Sequence, residues 1–154
     1  PVWKAMEHCL EQGWVKAIGV SNYGPAHLEA MKEYATYMPS VNQVEFNPWL
    51  QRPHLKQATE DAGAKLMAYS PLARGHKVDD PELGAIAERL GCTPAQVAIK
   101  FCYDEGCITI PKSSNPSRII ENFASLDVDI SSEIEAIRAL ECNYVSGWDP
   151  TTQP

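Results

Sequence analysis

The stretch from residue 108 to 122 has the residue types and the spacing of an anion-binding site. A short apolar run ends at Pro111, a polar Lys-Ser-Ser-Asn loop follows, and Pro116 then suits the first position of a helix. A helix N-terminus presents free N–H groups and partial positive charge, to which Lys112 and Arg118 add two formal charges. Arg118 can bind a phosphate through two parallel hydrogen bonds. The stretch equally fits an ordinary strand–helix connection with solvated charges.

Two more polar residues fall on the first turns of this predicted helix. Glu121 supplies an acceptor, and Asn122 supplies both a donor and an acceptor. Together they could recognise a ring amine or a ribose hydroxyl.

The elements that must position these residues alternate between two patterns. Apolar runs at 14–20, 41–46, 64–70 and 107–110 predict four strands, the first of them largely buried. Amphipathic segments between the strands predict helices, and one of these helices has a capping box at Thr93–Gln96. Ser132 with Glu135 predicts a cap for a last helix that runs through Leu140. Alternating strands and helices predict an α/β fold with a parallel sheet.

Each predicted strand is followed by polar, turn-forming residues. In parallel α/β folds, ligands bind at the carboxyl ends of the strands, so we expect these groups to converge on one small-molecule site. The groups are Ser21-Asn22, Glu45 with Asn47, Tyr69-Ser70 and Lys112-Ser113.

Composition and charge narrow the class of protein. The 154 residues fit one domain, and 44% hydrophobic residues allow a packed core. A net charge of -7 argues against binding to nucleic acid or to an anionic membrane, and no apolar run approaches the ~20 residues of a membrane span.

Five cysteines without a CxxC pair indicate reduced thiols in a cytoplasmic protein, and we predict no metal site. The start at Pro1 suggests a processed, truncated or engineered end.

Five motifs together resemble the C-terminal half of the aldo-keto reductase family, and they occur in the family's order. They are GWVKAIGVSN at 13–22, VNQVEFNP at 41–48, AYSPLARG at 68–75, TPAQVA at 93–98, and IPKS at 110–113 with RIIEN at 118–122. The resemblance implies half of a (β/α)8 TIM barrel, strands five to eight with their helices, over residues 1–140. An irregular C-terminal tail, residues 141–154, follows.

The resemblance also implies NADP(H) as the cofactor. Its implied contacts are Ser21, Asn22 and Gln43 to the nicotinamide carboxamide, Tyr69 stacked on the nicotinamide ring, Ser70, Pro71, Leu72 and Arg74 along the pyrophosphate, Lys112, Ser113, Ser114, Asn115 and Arg118 around the 2′-phosphate, and Glu121 and Asn122 at the adenine. Tyr69 could instead be a plain core aromatic, and Gln43 a satisfied buried amide.

The family's catalytic tetrad of Asp, Tyr, Lys and His has no counterpart in these motifs. The four histidines lie outside the motifs, so no residue is assigned a catalytic role. Carbonyl reduction needs a proton donor at the carbonyl oxygen, and the isolated chain is therefore predicted to be inactive.

Four strands cannot close an eight-stranded barrel, which leaves two hypotheses for the chain. In the first it is the C-terminal half of a reductase that acts on an aldehyde or ketone when the N-terminal half completes it. In the second it is a non-enzymatic half-barrel module that self-associates as a homodimer. Tyr144 and Trp148 in the tail either form an apolar wall of a substrate site, as the C-terminal loop does in the family, or belong to a disordered end.

Overall fold

The computed structural model describes residues 2–153, which form strands that alternate with helices. The helices are α1 Val2–Glu11, α2 Pro25–Met31, α3 Pro53–Asp61, α4 Pro81–Leu90, α5 Pro94–Asp104, α6 Pro116–Ala124 and α7 Ile134–Arg138. The strands are β1 Gly19–Ser21, β2 Val41–Glu45, β3 Lys65–Tyr69 and β4 Ile108–Thr109. Short 3-10 turns lie at Ala73–Gly75, Ser125–Asp127, Ser131–Glu133 and Pro150–Thr152.

The four strands form one parallel sheet in the order β1-β2-β3-β4. The register between the first two strands pairs Gly19 with Val41 and Ser21 with Gln43. A side chain at Gly19 would collide with the backbone of Val41, since a Cβ there would lie 2.9 Å from the Val41 carbonyl oxygen. The predicted α/β class with four parallel strands is confirmed.

The chain divides into two compact units. The first comprises residues up to Val44, residues 53–67 and residues from Asp149, and the second comprises residues 45–52 and 68–148. The predicted division at residue 140 is a different one and stays a prediction.

The first unit is built on a small apolar cluster and on one buried carboxylate. Trp3, Ile18 and Met31 are buried against one another. Glu7 on α1 accepts hydrogen bonds from the backbone N–H groups of Thr36 (2.6 Å) and Tyr37 (3.0 Å). The carboxylate thereby ties α1 to the turn that follows α2.

The second unit has an aromatic centre. The rings of Phe46 and Phe101 are stacked 6.2 Å apart at 9°, and both side chains are buried. The predicted capping box opens α5: Thr93 Oγ1 accepts from the Gln96 N–H, and Gln96 Oε1 accepts from the Thr93 N–H. Gly91, in the left-handed region at φ 68°, ends α4.

The first predicted strand, 14–20, was wrong over most of its length. β1 begins only at Gly19, and the Trp14 side chain is 69% exposed. Gly13, at φ 72°, ends α1 in a Schellman motif, in which the N–H groups of Gly13 and Trp14 donate to the carbonyls of Leu10 and Cys9. Because this motif uses the Trp14 backbone, the apolar run cannot begin the strand there.

The predicted cap of the last helix was also wrong. Residues 131–133 form a 3-10 turn, and α7 begins at Ile134 without a side-chain cap. The Asp129 carboxylate accepts from the Ser131 N–H at 2.9 Å, and this bond lowers the pKa of Asp129. This local bond at Asp129 is the side-chain–backbone bond found here, and neither the 3-10 turn nor α7 has a side-chain cap.

Candidate functional site

In the first unit, Ser21 and Asn22 at the end of β1 lie beside Gln43 in the middle of β2. The Ser21 hydroxyl and the Asn22 N–H both donate to the Gln43 carbonyl oxygen at 2.9 Å. Asn22 adopts a left-handed conformation, φ 60°, which asparagine tolerates better than most residues. The register of the parallel pair brings these residues together, because Ser21 is directly opposite Gln43.

The side chain of Gln43 has most of its hydrogen-bonding capacity left. It is half-buried, and the bond that the structure shows for it goes from Nε2 to the Met67 Sδ at 3.3 Å. A thioether is a weak acceptor, whereas a side-chain amide offers two donors and a carbonyl oxygen. With the acceptor lone pairs of Ser21, this amide has the chemistry to bind a carboxamide group.

A buried asparagine next to these residues holds the end of β1 in place. Asn42 Oδ1 accepts from the Tyr23 N–H at 3.2 Å, and its Nδ2 donates to the Tyr23 carbonyl at 2.8 Å and to the Thr59 hydroxyl at 3.3 Å. The sequence analysis assigned Asn42 no role. The sequence feature that could have indicated this role is the polar Asn42 on an otherwise apolar face of the predicted strand.

In the second unit, the loop that follows β3 is conformationally unusual. Ser70, Ala73 and Arg74 have φ values of 49°, 46° and 55°, although none of them is glycine. Left-handed non-glycine residues cost free energy and persist where the surrounding structure holds them. The Ala73 N–H donates to the Ser70 carbonyl at 2.9 Å and fixes part of the loop.

The candidate pyrophosphate residues of this loop differ in exposure. Pro71 is buried, Ser70 and Leu72 are half-buried, as is Tyr69 at the end of β3, and Arg74 is exposed. The Arg74 guanidinium lies against Gly147, so closely that a Cβ on Gly147 would be 3.2 Å from its Nη1.

The polar loop before α6 and the first turn of α6 carry the two cations that the sequence analysis singled out. Lys112 and Arg118 are exposed, and neither forms an ion pair with any residue between 2 and 153. Asn115 caps the helix, since its Oδ1 accepts from the Ser117 N–H at 3.0 Å, and the Ser113 hydroxyl accepts from the Asn115 N–H at 3.2 Å. Ser114 is exposed beside them. Two exposed cations without an ion pair among residues 2–153, one before this nine-residue helix and one in its first turn, fit a phosphate group.

The two candidate adenine residues are engaged differently. Glu121 accepts a 2.7 Å hydrogen bond from the Thr93 hydroxyl, which ties α6 to the start of α5. Asn122 lines a cavity of about 690 Å³ whose other walls are mostly apolar, among them Ile108, Ile119 and Phe123. The candidate phosphate residues thus lie in the loop before α6 and in its first turn, whereas Glu121 bonds to the start of α5.

The structure gives Glu45, one of the strand-end groups of the sequence analysis, a contact that the sequence analysis did not predict. Glu45, which is 2% exposed, accepts the Ser146 N–H on both oxygens, at 3.1 and 3.3 Å. The N–H groups of Cys142 and Tyr144 donate to the Trp49 carbonyl, at 3.2 and 2.9 Å. The tail segment 141–147 is therefore packed on the loop that follows β2.

The tail segment also reaches the loop that follows β3. The Tyr144 hydroxyl lies 3.1 Å from His76 Nδ1, and the Lys77 ammonium lies 5.0 Å from the centre of the Tyr144 ring. The contacts of the tail segment with both loops join residues far apart in sequence. The one sequence feature that suggested them was the polar character of Glu45 on a predicted strand.

Two histidines and one buried cysteine have contacts or an environment that do not suit catalysis. His27 Nδ1 accepts from the Gly24 N–H and its Nε2 contacts the Gln153 carbonyl, while His76 contacts Tyr144. Burial raises the pKa of the Cys102 thiol, which disfavours the reactive thiolate. Within residues 2–153, no cluster of three His, Cys, Asp or Glu side chains could hold a metal ion, and no helix is long and apolar enough to cross a membrane.

Known proteins resemble the chain in sequence. The Aldo/keto reductase family model matches residues 1–141. Aldose reductase B of Dictyostelium discoideum is 42% identical over 144 residues, which are 92% of this chain and 46% of that protein. Glyoxal reductase of Bacillus subtilis is 39% identical over 149 residues, 96% of this chain and 54% of that protein.

Solved structures agree with the sequence matches. The crystal structure of Gox0644 in its apo form is 35% identical with a TM-score of 0.90, and the match covers 99% of this chain and 57% of that chain. Such relatives are TIM barrels, and the chain spans about half the length of the curated relatives it matches, as the predicted C-terminal half requires. The family match, the ordered motifs and the βα architecture together establish that this chain belongs to the aldo/keto reductase family.

Proposed function

We propose that this chain is the cofactor-binding half of an NADP(H)-dependent reductase that converts a carbonyl group into an alcohol. The observation that carries the proposal is a pair of exposed cations that form no ion pair within residues 2–153, Lys112 in the loop before α6 and Arg118 in its first turn. In a protein with a net charge of -7, such a pair is a local exception that suits a dianionic phosphate. A 2′-phosphate distinguishes NADP(H) from NAD(H), and we therefore propose NADP(H) as the cofactor.

The proposed contacts to this cofactor are those that the family resemblance implies. Gln43 and Ser21 offer amide and hydroxyl groups for the carboxamide, with Asn22 beside them and Tyr69 as the stacking residue. The loop that follows β3 would bind the pyrophosphate, where the exposed Arg74 adds positive charge. When bound, NADPH supplies the hydride, and the role of this chain is to hold and orient it.

The isolated chain would bind the cofactor without turning over a substrate. A carbonyl oxygen that accepts charge as hydride arrives needs a general acid, and none was found in the described residues. The acid would come from the family's other half. The names of two relatives, an aldose reductase and a glyoxal reductase, support a small aldehyde or ketone as the substrate class. The free cysteines are compatible with the cytoplasmic location that we propose.

An NADPH fluorescence titration of the purified chain tests this proposal, with an aldehyde added at the end. We expect saturable binding without aldehyde consumption. Arg118→Gln should weaken NADPH binding by roughly 10-fold, because a charged hydrogen-bonding partner of the phosphate is lost. NADH binding should change little.

Lys16→Gln is the matched control, since it removes one exposed cation outside the phosphate loop. Equal losses for the two variants would mean that net charge alone attracts the nucleotide. Failure of the unmodified chain to bind NADPH would contradict the proposed cofactor cradle, and steady aldehyde consumption would contradict the proposed inactivity.

A further inference from the structure

Two cysteines occupy positions that the end of helix α5 brings together. The helix ends in a Schellman motif, in which the Gly106 N–H donates to the Tyr103 carbonyl at 2.9 Å. The outer bond of the motif runs from the Cys107 N–H to the Cys102 carbonyl at 3.1 Å. Gly106 has the left-handed backbone that the motif requires, with φ 82°. Since the side chains of the outer pair commonly contact one another in this motif, it places two thiols side by side.

The separation of the two cysteines suits a disulfide. The bond from the Cys107 N–H to the Cys102 carbonyl, with standard bond lengths, holds the two Cα atoms within about 7 Å of each other. Disulfides join residues whose Cα atoms lie roughly 4.4–6.8 Å apart, and the bent path through the hydrogen bond shortens the separation into that range. Neither cysteine is part of a disulfide in the structure, so the pair is present as two thiols.

Both thiols are withdrawn from solvent. Cys102 is completely buried, and its Sγ donates to the Phe46 carbonyl at 3.6 Å, whereas Cys107 is 5% exposed. Burial raises the pKa of the Cys102 thiol well above its ordinary value, and the neighbouring Cys107 thiol raises it further. This second effect agrees with the closeness of the two sulfur atoms. Cys107 is therefore the residue of the pair that an oxidant meets first, because it is the more accessible one and the thiolate of Cys102 is disfavoured.

We propose that Cys102 and Cys107 form a reversible disulfide when the chain meets hydrogen peroxide. The Cys107 thiolate attacks one peroxide oxygen, the O–O bond breaks, and the other oxygen leaves as water, so that Cys107 becomes a sulfenic acid. The Cys102 sulfur then attacks the sulfenic sulfur, the S–S bond forms, the S–O bond breaks, and a second water leaves. In total the two thiols lose two electrons and two protons, and the peroxide becomes two water molecules.

The position of the pair also determines which reagents it answers to. A peroxide is small enough to enter when the last turn of α5 opens, whereas a bulky disulfide such as oxidised glutathione reaches the exposed Cys142 first. A partner thiol in the same turn has an effective concentration in the millimolar range, so at micromolar chain concentration the internal disulfide is favoured over an intermolecular one by roughly 100-fold or more. This site is independent of the proposed cofactor, since none of its residues is an assigned cofactor contact.

Mass spectrometry of tryptic peptides tests the pairing directly. Trypsin cleaves after Lys100 and Lys112, so the peptide 101–112 contains Cys102 and Cys107 and no other cysteine. The reduced chain is treated with hydrogen peroxide, alkylated and digested. We expect this peptide to lack two hydrogen atoms and to carry no alkyl group, to regain both thiols in dithiothreitol, and to exceed intermolecular disulfides by roughly 100-fold. No NADPH is present, so the result does not depend on the proposed function.

Two alanine variants give the comparison. Cys107→Ala should abolish the loss of two hydrogen atoms, and Cys142→Ala is the matched control that should leave it unchanged. The unmodified chain carries the decisive result, so a folding defect in Cys107→Ala, followed by circular dichroism, leaves the test intact.

Three outcomes would overturn the proposal. One is a peptide 101–112 that keeps both thiols at a peroxide concentration that oxidises Cys142. Another is trapping of Cys107 by dimedone as a lasting sulfenic acid, because Cys102 would then not reach it. The third is a disulfide that forms only after the chain is unfolded in urea, because the folded end of α5 would then hold the two sulfur atoms apart.

Discussion

Replacement of Glu45 by alanine should loosen the tail segment 141–147. The Glu45 carboxylate is 2% exposed, and it receives the backbone N–H of Ser146, a residue that is itself buried. Alanine would leave this N–H without its acceptor in a site that excludes water. A buried donor that loses its partner costs about 1–3 kcal/mol.

This free energy should appear mainly as local opening of the tail. A cost of about 1–3 kcal/mol raises an opening equilibrium by roughly 5- to 150-fold, because 1.4 kcal/mol is a factor of ten. The bonds from Cys142 and Tyr144 to the Trp49 carbonyl belong to the same segment, so their amides should exchange faster together with Ser146. Glu45→Gln keeps an oxygen acceptor and should show a smaller effect.

Hydrogen exchange of the peptide that covers residues 141–148 is the direct assay. Glu135→Ala is the matched control, because that carboxylate lies on the surface and bonds to Arg138 three residues away. The reasoning is refuted if tail exchange in Glu45→Ala equals that of the unmodified chain. It is also refuted if Glu135→Ala accelerates the tail equally.

Two further predictions concern stability. Thr93→Ala should lower the free energy of unfolding by about 1–2 kcal/mol in denaturant titrations, because it removes the α5 cap and the bond to Glu121, and Thr93→Ser should restore most of the loss. Equal midpoints for the alanine variant and the unmodified chain would contradict this. Lys4 and the backbone N–H groups lower the pKa of Glu7 to about 2, so between pH 4.5 and 2 the unfolded chain binds a proton that the folded chain does not. Stability, monitored by thermal unfolding, should therefore fall as pH falls through this window. The dependence of stability on pH should be weaker in Glu7→Gln and the same as in the unmodified chain in Glu11→Gln. The same dependence in all three proteins would refute the role of Glu7.

Local signals in the sequence predicted most of the element starts. Prolines at the first helical position mark α2, α5 and α6, and the Thr93–Gln96 pair caps α5 as expected. These features depend on residues within one turn of each other, so no tertiary contact is needed to infer them. The alternation of apolar and polar segments likewise predicted the four parallel strands.

The two wrong predictions came from competition between local motifs. The apolar character of residues 14–18 favoured a strand, but the Schellman motif at Gly13 uses the Trp14 backbone. The Ser132–Glu135 pattern favoured a cap, but residues 131–133 form a 3-10 turn, and Asp129 bonds to the Ser131 N–H just before it. A propensity pattern cannot rank such alternatives, because their energies differ by about 1 kcal/mol or less.

For the candidate site as well, some features could be predicted from the sequence and others only from the tertiary structure. The sequence by itself indicated the family and the residue types of the candidate cofactor contacts, whereas the structure added the register that places Ser21 opposite Gln43. Only the tertiary structure decided that Glu45 holds Ser146, 101 residues away. The physical reason is that the sequence pattern encodes contacts between near neighbours, whereas long-range contacts and exposed faces depend on which elements are present to pack against one another.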